Sequence, residues 1–155
     1  MGAKTTANGR EKKLSTYEIY LDTEHLLNLQ KPPADRIHPD ELTFQVVHQT
    51  IELWWKMTTQ QFEVAMAQMR AGRLDEANWA LRRAVSAQSV VSQAARQLEY
   101  VEPKDFLSFR GILGDGSGAD SPGFRAILRS APDLWDAFAV ALEREGITLL
   151  ELYLH

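Results

Sequence analysis

The stretch Phe44-Gln-Val-Val-His-Gln-Thr-Ile-Glu-Leu-Trp-Trp-Lys56 decides the fold of this 155-residue chain. Its apolar and aromatic residues recur at helical spacing, and residues three and four apart on a helix lie on one face. Phe44, His48 and Glu52 therefore form one stripe that carries a single imidazole. No proline or glycine follows before Gly72, so the pattern predicts a helix of about eight turns that begins at His38-Pro-Asp-Glu41.

A second long helix is predicted directly after the first. Residues 75–102 keep apolar side chains at helical spacing, and Pro103 closes the pattern. The turn around Gly72 is only a few residues long, so the two helices should be antiparallel neighbours. The predicted apolar side of the second helix comprises Leu74, Ala77, Leu81, Ala84, Val85, Val91, Ala95 and Leu98.

Shorter helices are predicted on both sides of this pair. They cover residues 17–29, 105–113, 121–128 and 134–143, with Pro132 starting the last one and Gly146 ending it. No segment is typical of a strand, so the fold class is all-α, a helical bundle built on two long antiparallel helices. Residues 1–14 are polar and are expected to form a disordered tail, and residues 15–155 a single helical domain.

Composition excludes several classes of protein. A net charge of -4 provides no basic face for nucleic acid. The absence of cysteine excludes disulfides, zinc-thiolate sites and thioether-linked haem. No apolar run approaches the roughly 20 residues that span a bilayer, and the amino terminus lacks the apolar core of a signal peptide. We therefore expect a soluble cytoplasmic protein without nucleic-acid or membrane partners.

Glycines are concentrated in one interior segment, Gly114-Asp-Gly-Ser-Gly118. Three glycines in five residues indicate a backbone that must approach something closely, although a mobile turn would have the same composition. We expect the chemistry to lie beside this segment.

Five spaced motifs resemble the tryptophan 2,3-dioxygenase family. In chain order they are Tyr17-x-x-Tyr20-Leu, His38-x-Asp-Glu-x-x-Phe44, His48-Gln-x-x-Glu-Leu-Trp-x-Lys56, Phe109-Arg110-x-x-Leu113 and Ser117-Gly118. The resemblance is close over residues 15–125, and residues 131–146 are similar to a later helix of the family after a sizeable deletion.

The resemblance implies a haem-dependent oxygenase that opens the pyrrole ring of an indole with dioxygen, acting on tryptophan or a related indole. By resemblance, His48 bonds the indole nitrogen and Phe44 walls the indole pocket. Arg110 holds the substrate carboxylate, for which a planar, charged fork is suitable. The resemblance further implies that Tyr17 and Tyr20 reach the site of a neighbouring subunit, and that Leu113, Ser117 and Gly118 line the pocket, the last two close to the haem.

The chain departs from the family pattern in two places. Family members usually continue Ser-Gly-Phe-Gln-Ser-x-Gln-Phe-Arg, whereas this chain has Ser117-Gly-Ala-Asp-Ser-Pro-Gly-Phe-Arg125. The histidine that ligates haem iron lies in a later helix of the family, as does the glycine-rich loop that binds the substrate ammonium. We expect neither in this chain, which ends at His155.

The remaining histidines, His25, His38 and His155, are weak candidates for the axial ligand, with His155 first among them. The ligand is otherwise expected from the chain's own oligomer or from a second chain.

Several of these residues also have a purely structural interpretation. His48 could be a core histidine, and Arg110 could belong to a structural ion pair. Tyr17 and Tyr20 could be packing residues, as is expected for Trp54 and Trp55, and Glu52 with Lys56 predicts an i,i+4 surface pair.

Two functions are therefore open. The chain is a haem oxygenase, or it is a shortened homologue that binds an aromatic amino acid, or pairs with a fuller chain, without chemistry. A fragment of a larger gene product is a further alternative, and it would restore the complete enzyme.

Overall fold

The computed structural model describes residues 14–154 and divides the chain into two compact units. The first unit extends to Arg36 and the second begins at Ile37. Residues 14–154 contain helices and no strand, which confirms the predicted all-α class. The predicted tail lies outside the described residues except for Leu14, and the single domain over residues 15–155 stays a prediction.

The first unit contains two short helices, α1 (Thr16–Leu21) and α2 (Thr23–Leu26). Ser15 begins α1 with a capping box, in which its hydroxyl accepts from the Glu18 N–H and the Glu18 carboxylate accepts from the Ser15 N–H. Asp22 separates the helices because its φ of 50° is left-handed. The prediction of one continuous helix over residues 17–29 was therefore wrong.

The second unit is built on the two predicted long helices, α3 (Glu41–Arg70) and α4 (Leu74–Arg96). Glu41 is buried at the start of α3, where its carboxylate accepts from the Ile37 N–H at 2.5 Å. Gly72, with a φ of 73°, makes the turn between the helices. The α4 helix ends six residues earlier than predicted and continues as a 3₁₀ turn, Gln97–Tyr100.

Small side chains bring α4 against α3. The buried residues of α4 are all alanines, whose short side chains allow the backbones to approach closely, whereas Val85 is 67% exposed. The predicted apolar side was therefore wrong at Val85, and also at Leu74 and Ala95, which are exposed. The buried positions are Ala77, Ala80, Ala84 and Ala87.

The core lies where α3 and α4 meet α6 (Pro122–Glu145). Met66 and Met69 of α3 pack there against Ala137 and Ala141 of α6 and against an alanine of α4. Thr58, fully buried, accepts a hydrogen bond from the Gln88 side chain at 3.0 Å and so joins α3 to α4. The core thus holds α3, the helix that carries Phe44 and His48, against two other helices.

The α6 helix is continuous, although two helices separated at Pro132 were predicted. Pro132 lies inside it as an exposed residue. A proline within a helix removes one backbone hydrogen bond, and the apolar contacts of α6 with α3 on both sides of Pro132 maintain the helix. Gly146, with a φ of 68°, ends α6 as predicted.

Two further helices complete the described chain, α5 (Pro103–Arg110) and α7 (Leu149–Leu154). A 3₁₀ turn, Gly111–Leu113, extends α5 and leads into the glycine-rich segment. None of the described helices combines the length and apolar character needed to span a bilayer.

Candidate functional site

Two helices and one loop surround a cavity of about 530 Å³. The α3 helix contributes Phe44, His48 and Glu52, which are four residues apart and therefore lie on one face. The α5 helix contributes Phe106 and Arg110 at the same spacing. The loop between α5 and α6 closes the cavity with Leu113, Gly116, Ser117, Gly118 and Ser121.

Aromatic rings form the wall between α3 and α5. The ring centroid of Phe44 lies 4.1 Å from that of His48, 5.7 Å from that of Phe106 and 5.8 Å from that of Phe109. Phe106 and Phe109 meet edge to face at 5.5 Å, and Phe109 is buried. This contact geometry favours aromatic packing and joins the helices through their rings.

The imidazole of His48 has one nitrogen committed to the backbone. Nδ1 lies 2.8 Å from the carbonyl oxygen of Phe44. Because a carbonyl oxygen only accepts, Nδ1 carries the hydrogen and donates it. In the neutral ring Nε2 is then a hydrogen-bond acceptor, and it is the nitrogen left for a ligand.

The guanidinium of Arg110 holds the loop. Nη1 donates to the carbonyl of Gly114 at 2.9 Å, and Nη2 donates to that of Gly116 at 3.2 Å. Both acceptors are neutral, and no carboxylate in residues 14–154 forms an ion pair with Arg110. The structural ion pair considered for Arg110 is therefore not seen among these residues, and Arg110 lines the cavity.

The three glycines of the loop differ in whether the structure there would tolerate a side chain. Gly114 has a φ of 55°, which disfavours other residues, and a Cβ on Gly116 would lie 2.8 Å from the carbonyl oxygen of Leu113. A Cβ on Gly118 would meet no atom within 4 Å. The first two glycines shape the turn, whereas Gly118 has open space beside the cavity.

The side chain of Glu52 connects α3 directly to the start of α6. Its carboxylate accepts from the hydroxyl of Ser121 and, at 2.9 Å, from the N–H of Gly123. The Ser121 hydroxyl in turn accepts from the N–H of Phe124 at 3.0 Å, so it caps α6. The predicted surface pair of Glu52 with Lys56 was wrong, because the Glu52 carboxylate is half-buried and bonded to the start of another helix.

A local network replaces the aromatic and the two amides of the family pattern. The Asp120 carboxylate accepts from the Ser117 N–H at 2.9 Å and from the guanidinium of Arg125 at 2.5 Å. Hydrogen bonds from the backbone and hydroxyl of Ser117, followed by the charge of Arg125, hold the pKa of Asp120 below its ordinary value of 3.8. This turn fixes Ser117 and Gly118 at the cavity.

A second cavity of about 350 Å³ shares three walls with the first, Phe44, His48 and Phe106. Its remaining lining is apolar and comprises Leu98, Val101 and Pro103. The shared aromatic and imidazole rings thus face two neighbouring spaces, one with polar groups and one without charged side chains.

Most of the predicted site residues line one cavity. The cavity also includes Glu52, Phe106 and Ser121, which were not predicted as site residues, and Gly116 of the predicted glycine-rich segment. The four-residue spacing of Phe106 from Arg110, which repeats that of Phe44 from His48, is the sequence signal for Phe106. Tyr17 and Tyr20 lie on α1 in the first unit, where they are 69% and 86% exposed. The residues brought together as predicted are Phe44, His48, Arg110, Leu113, Ser117 and Gly118.

Among the described histidines, His48 has its Nε2 available at the cavity, where the resemblance assigns it to the substrate, and neither of the other two lines this cavity. His38 lies between two carboxylates, with Nδ1 3.6 Å from Asp40 and Nε2 3.7 Å from Asp105. The donor atoms of these three residues lie within 4.8 Å of one another, a carboxylate-rich set unlike that of haem iron. His25 is exposed beside Asp22 in the first unit, and His155 lies outside the described residues. Residues 14–154 thus fit a substrate better than they fit the haem.

Comparisons with known proteins agree with the motifs. The family model described as tryptophan 2,3-dioxygenase matches residues 1–130. A tryptophan 2,3-dioxygenase from Caulobacter vibrioides is 35% identical over 90% of this chain and 63% of the relative. One from Herpetosiphon aurantiacus is 31% identical over 86% of this chain and 62% of the relative.

A tryptophan 2,3-dioxygenase from Serratia proteamaculans is 27% identical over 88% of this chain and 59% of its own length. The chain therefore spans about three fifths of the length of the curated relatives it matches. The matched part includes α3, α5 and the loop that surround the cavity, so the family relationship applies to the candidate site itself.

Proposed function

The chain belongs to the tryptophan 2,3-dioxygenase family, and on this premise we propose that its cavity binds tryptophan or a related indole for dioxygen insertion with haem as the cofactor. The observation that carries the proposal is the convergence of two pairs of residues on one cavity. Phe44 and His48 provide an aromatic wall with an acceptor nitrogen, and Phe106 and Arg110 provide an aromatic wall with a cation that forms no ion pair among residues 14–154.

The indole ring of the substrate binds at the α3 side. An aromatic ligand packs on Phe44 and Phe106, and its N–H donates to Nε2 of His48. The hydrogen bond from Nδ1 to the Phe44 carbonyl selects the tautomer that makes this possible. His48 in this role orients the substrate, and orientation by fixed groups is a large part of enzymatic rate acceleration.

The carboxylate of the substrate binds at Arg110. Two of the five guanidinium N–H groups are used by the loop carbonyls, so three remain for a ligand. Leu113 and the loop residues Ser117 and Gly118 line the space between the two ends. This arrangement favours an amino acid over free indole, because the latter leaves the charge of Arg110 without a partner.

The axial ligand of the haem iron comes, in this proposal, from outside the described residues. It would come from a second chain or from His155, either of the same copy or of a neighbouring copy in the oligomer. Haem supplies the oxygen chemistry when it is bound, whereas residues 14–154 hold and orient the indole.

The proposal includes an oligomer in which Tyr17 and Tyr20 meet the pocket of a neighbouring copy. Both side chains are mostly exposed, although tyrosine has a large apolar ring to bury. Sedimentation should show an assembly at micromolar concentration that Tyr17→Ser and Tyr20→Ser together weaken. A monomer in the unsubstituted chain would contradict this part of the proposal.

One observation favours the second function, a homologue that binds an aromatic amino acid without chemistry. Among residues 14–154, the one histidine that lines the cavity is His48, whose Nε2 is assigned here to the indole rather than to haem iron. An absorbance titration of the purified chain with haemin, followed by oxygen uptake with tryptophan under reducing conditions, separates the two functions. A histidine-ligated haem spectrum with substrate-dependent oxygen uptake supports the oxygenase, whereas tryptophan binding without haem uptake supports the binding homologue.

A further inference from the structure

The start of α6 rests directly on a pocket residue of α3. Both oxygens of Glu52 accept hydrogen bonds from this start, one from the Ser121 hydroxyl and one from the Gly123 N–H. These partners lie 69 and 71 residues away along the chain. A carboxylate at the amino end of a 24-residue helix is also stabilised by the helix dipole.

Gly123 shows how close this contact is. A Cβ at this position would lie 2.6 Å from a carboxylate oxygen of Glu52 and 2.9 Å from the Cβ of Trp55. Atoms this close cannot be accommodated without a shift, so α6 approaches α3 here only because residue 123 has no side chain. The packing of Phe124 against Trp55, with ring centroids 5.8 Å apart, continues the contact.

The loop that lines the pocket is thereby held at both ends. Arg110 binds the carbonyls of Gly114 and Gly116 at its first end, and Glu52 binds Ser121 at its last. Ser117 and Gly118 lie between these anchors. Glu52 therefore fixes the last end of the loop relative to His48, which lies one turn earlier on α3.

We propose that Glu52 is a positioning residue, which fixes the loop of residues 114–121 over the amino-acid end of the pocket through Ser121 and Gly123. It makes the pocket selective for an indole that carries a carboxylate, because Arg110 and the loop must keep one geometry to bind that group. This inference rests on the proposed function for the identity of the ligand. That Glu52 holds the start of α6 rests only on the contacts of Glu52 and Gly123.

The test compares Glu52→Gln with Glu63→Gln in the full chain. Glu63 is an exposed glutamate on the same helix and provides a matched control. Glutamine at position 52 keeps the size of the side chain but loses the charge and one acceptor. Calorimetric titration with tryptophan and with indole measures selectivity, and amide hydrogen exchange measures the loop and α3 separately.

Glu52→Gln should weaken tryptophan binding up to about tenfold and indole binding less than about twofold, because tryptophan must then order the loop that the lost charge-assisted hydrogen bond had held. Exchange should become faster at Gly116, Ser121 and Gly123, whose amides are hydrogen-bonded, and remain unchanged in the middle of α3. Gly123→Ala, which displaces Glu52 without altering its charge, should reproduce both effects.

The proposal is overturned if Glu52→Gln matches Glu63→Gln in loop exchange and in the ratio of the two affinities, or if exchange rises equally throughout α3. If the unsubstituted chain binds no tryptophan, the proposed function fails, and the exchange comparison alone then decides whether Glu52 holds the loop.

Discussion

Nδ1 of His48 lies 2.8 Å from the carbonyl oxygen of Phe44, one turn earlier on α3. This hydrogen bond gives the imidazole a defined orientation and leaves Nε2 as the acceptor in the neutral ring. The same two residues face the cavity with their rings 4.1 Å apart. One turn of helix thus provides an aromatic wall and a hydrogen-bond acceptor beside it.

The first prediction uses a ligand without the indole hydrogen. The chain should bind tryptophan about two to ten times more tightly than 1-methyltryptophan, since one neutral hydrogen bond contributes roughly 0.5–1.5 kcal/mol. His48→Ala should abolish this difference. Calorimetric titration of both ligands into both proteins measures it, and an undiminished preference in His48→Ala would exclude the proposed acceptor.

The second prediction concerns Arg110. Arg110→Leu should weaken the binding of tryptophan about tenfold to hundredfold, because a hydrogen bond to a charged group contributes about 1.5–3 kcal/mol. The affinity for indole, which has no carboxylate, should fall much less. Competition binding with the two ligands tests this, and equal losses for both would refute the carboxylate assignment.

The third prediction separates two glycines of the loop. Gly118→Ala should leave the melting temperature unchanged, since its Cβ meets open space, but should weaken tryptophan binding by reducing the pocket. Gly116→Ala should lower the melting temperature, since its Cβ would meet the carbonyl of Leu113 at 2.8 Å. Thermal unfolding and calorimetry distinguish them; unaltered binding in Gly118→Ala would remove this residue from the site.

The fourth prediction is a pH dependence. The pKa of Asp120 is lowered by the Ser117 hydrogen bonds and by Arg125, so the folded turn favours the ionised carboxylate. The contribution of this ionised carboxylate to the free energy of unfolding is therefore fully present above the ordinary pKa of 3.8, and it is lost as the pH falls through the lowered pKa. The Ser117 amide resonance should shift with a midpoint below 3.8, and Asp120→Asn should remove that transition. A midpoint above 3.8 would mean that the pKa of Asp120 is raised rather than lowered, and would contradict the prediction.

The fold followed from the sequence where periodicity and turn residues agree. Uninterrupted helical spacing predicted α3, and Gly72 correctly marked its end. Pro132 was misleading because the helix continues through it, supported by the packing of α6 against α3. Such contacts join residues far apart in sequence, so the local pattern around Pro132 could not show them. Asp22 broke the first predicted helix because a left-handed φ in a non-glycine residue has no periodic signature.

Most residues that line the cavity were predictable from the sequence, whereas the hydrogen bonds between them were not, and the roles of these residues in binding stay predictions. The resemblance identified His48, Phe44 and Arg110, and α3 and α5 bring them to one cavity. The bonds of Glu52 to Ser121 and Gly123 were not predictable, because helix spacing pairs Glu52 with Lys56, and only tertiary contact places α6 beside it. The roles of Tyr17 and Tyr20 stay predictions.

The most direct test of the account is a nuclear magnetic resonance titration of the isotopically labelled chain with tryptophan. The account predicts that backbone resonances of Phe44, His48, Phe106, Arg110 and Gly118 shift together with a single dissociation constant, whereas those of α7 and of the end of α6 remain in place. Shifts confined to α6 and α7, or no saturable shifts at millimolar tryptophan, would contradict the claim that α3, α5 and their loop form the tryptophan-binding site.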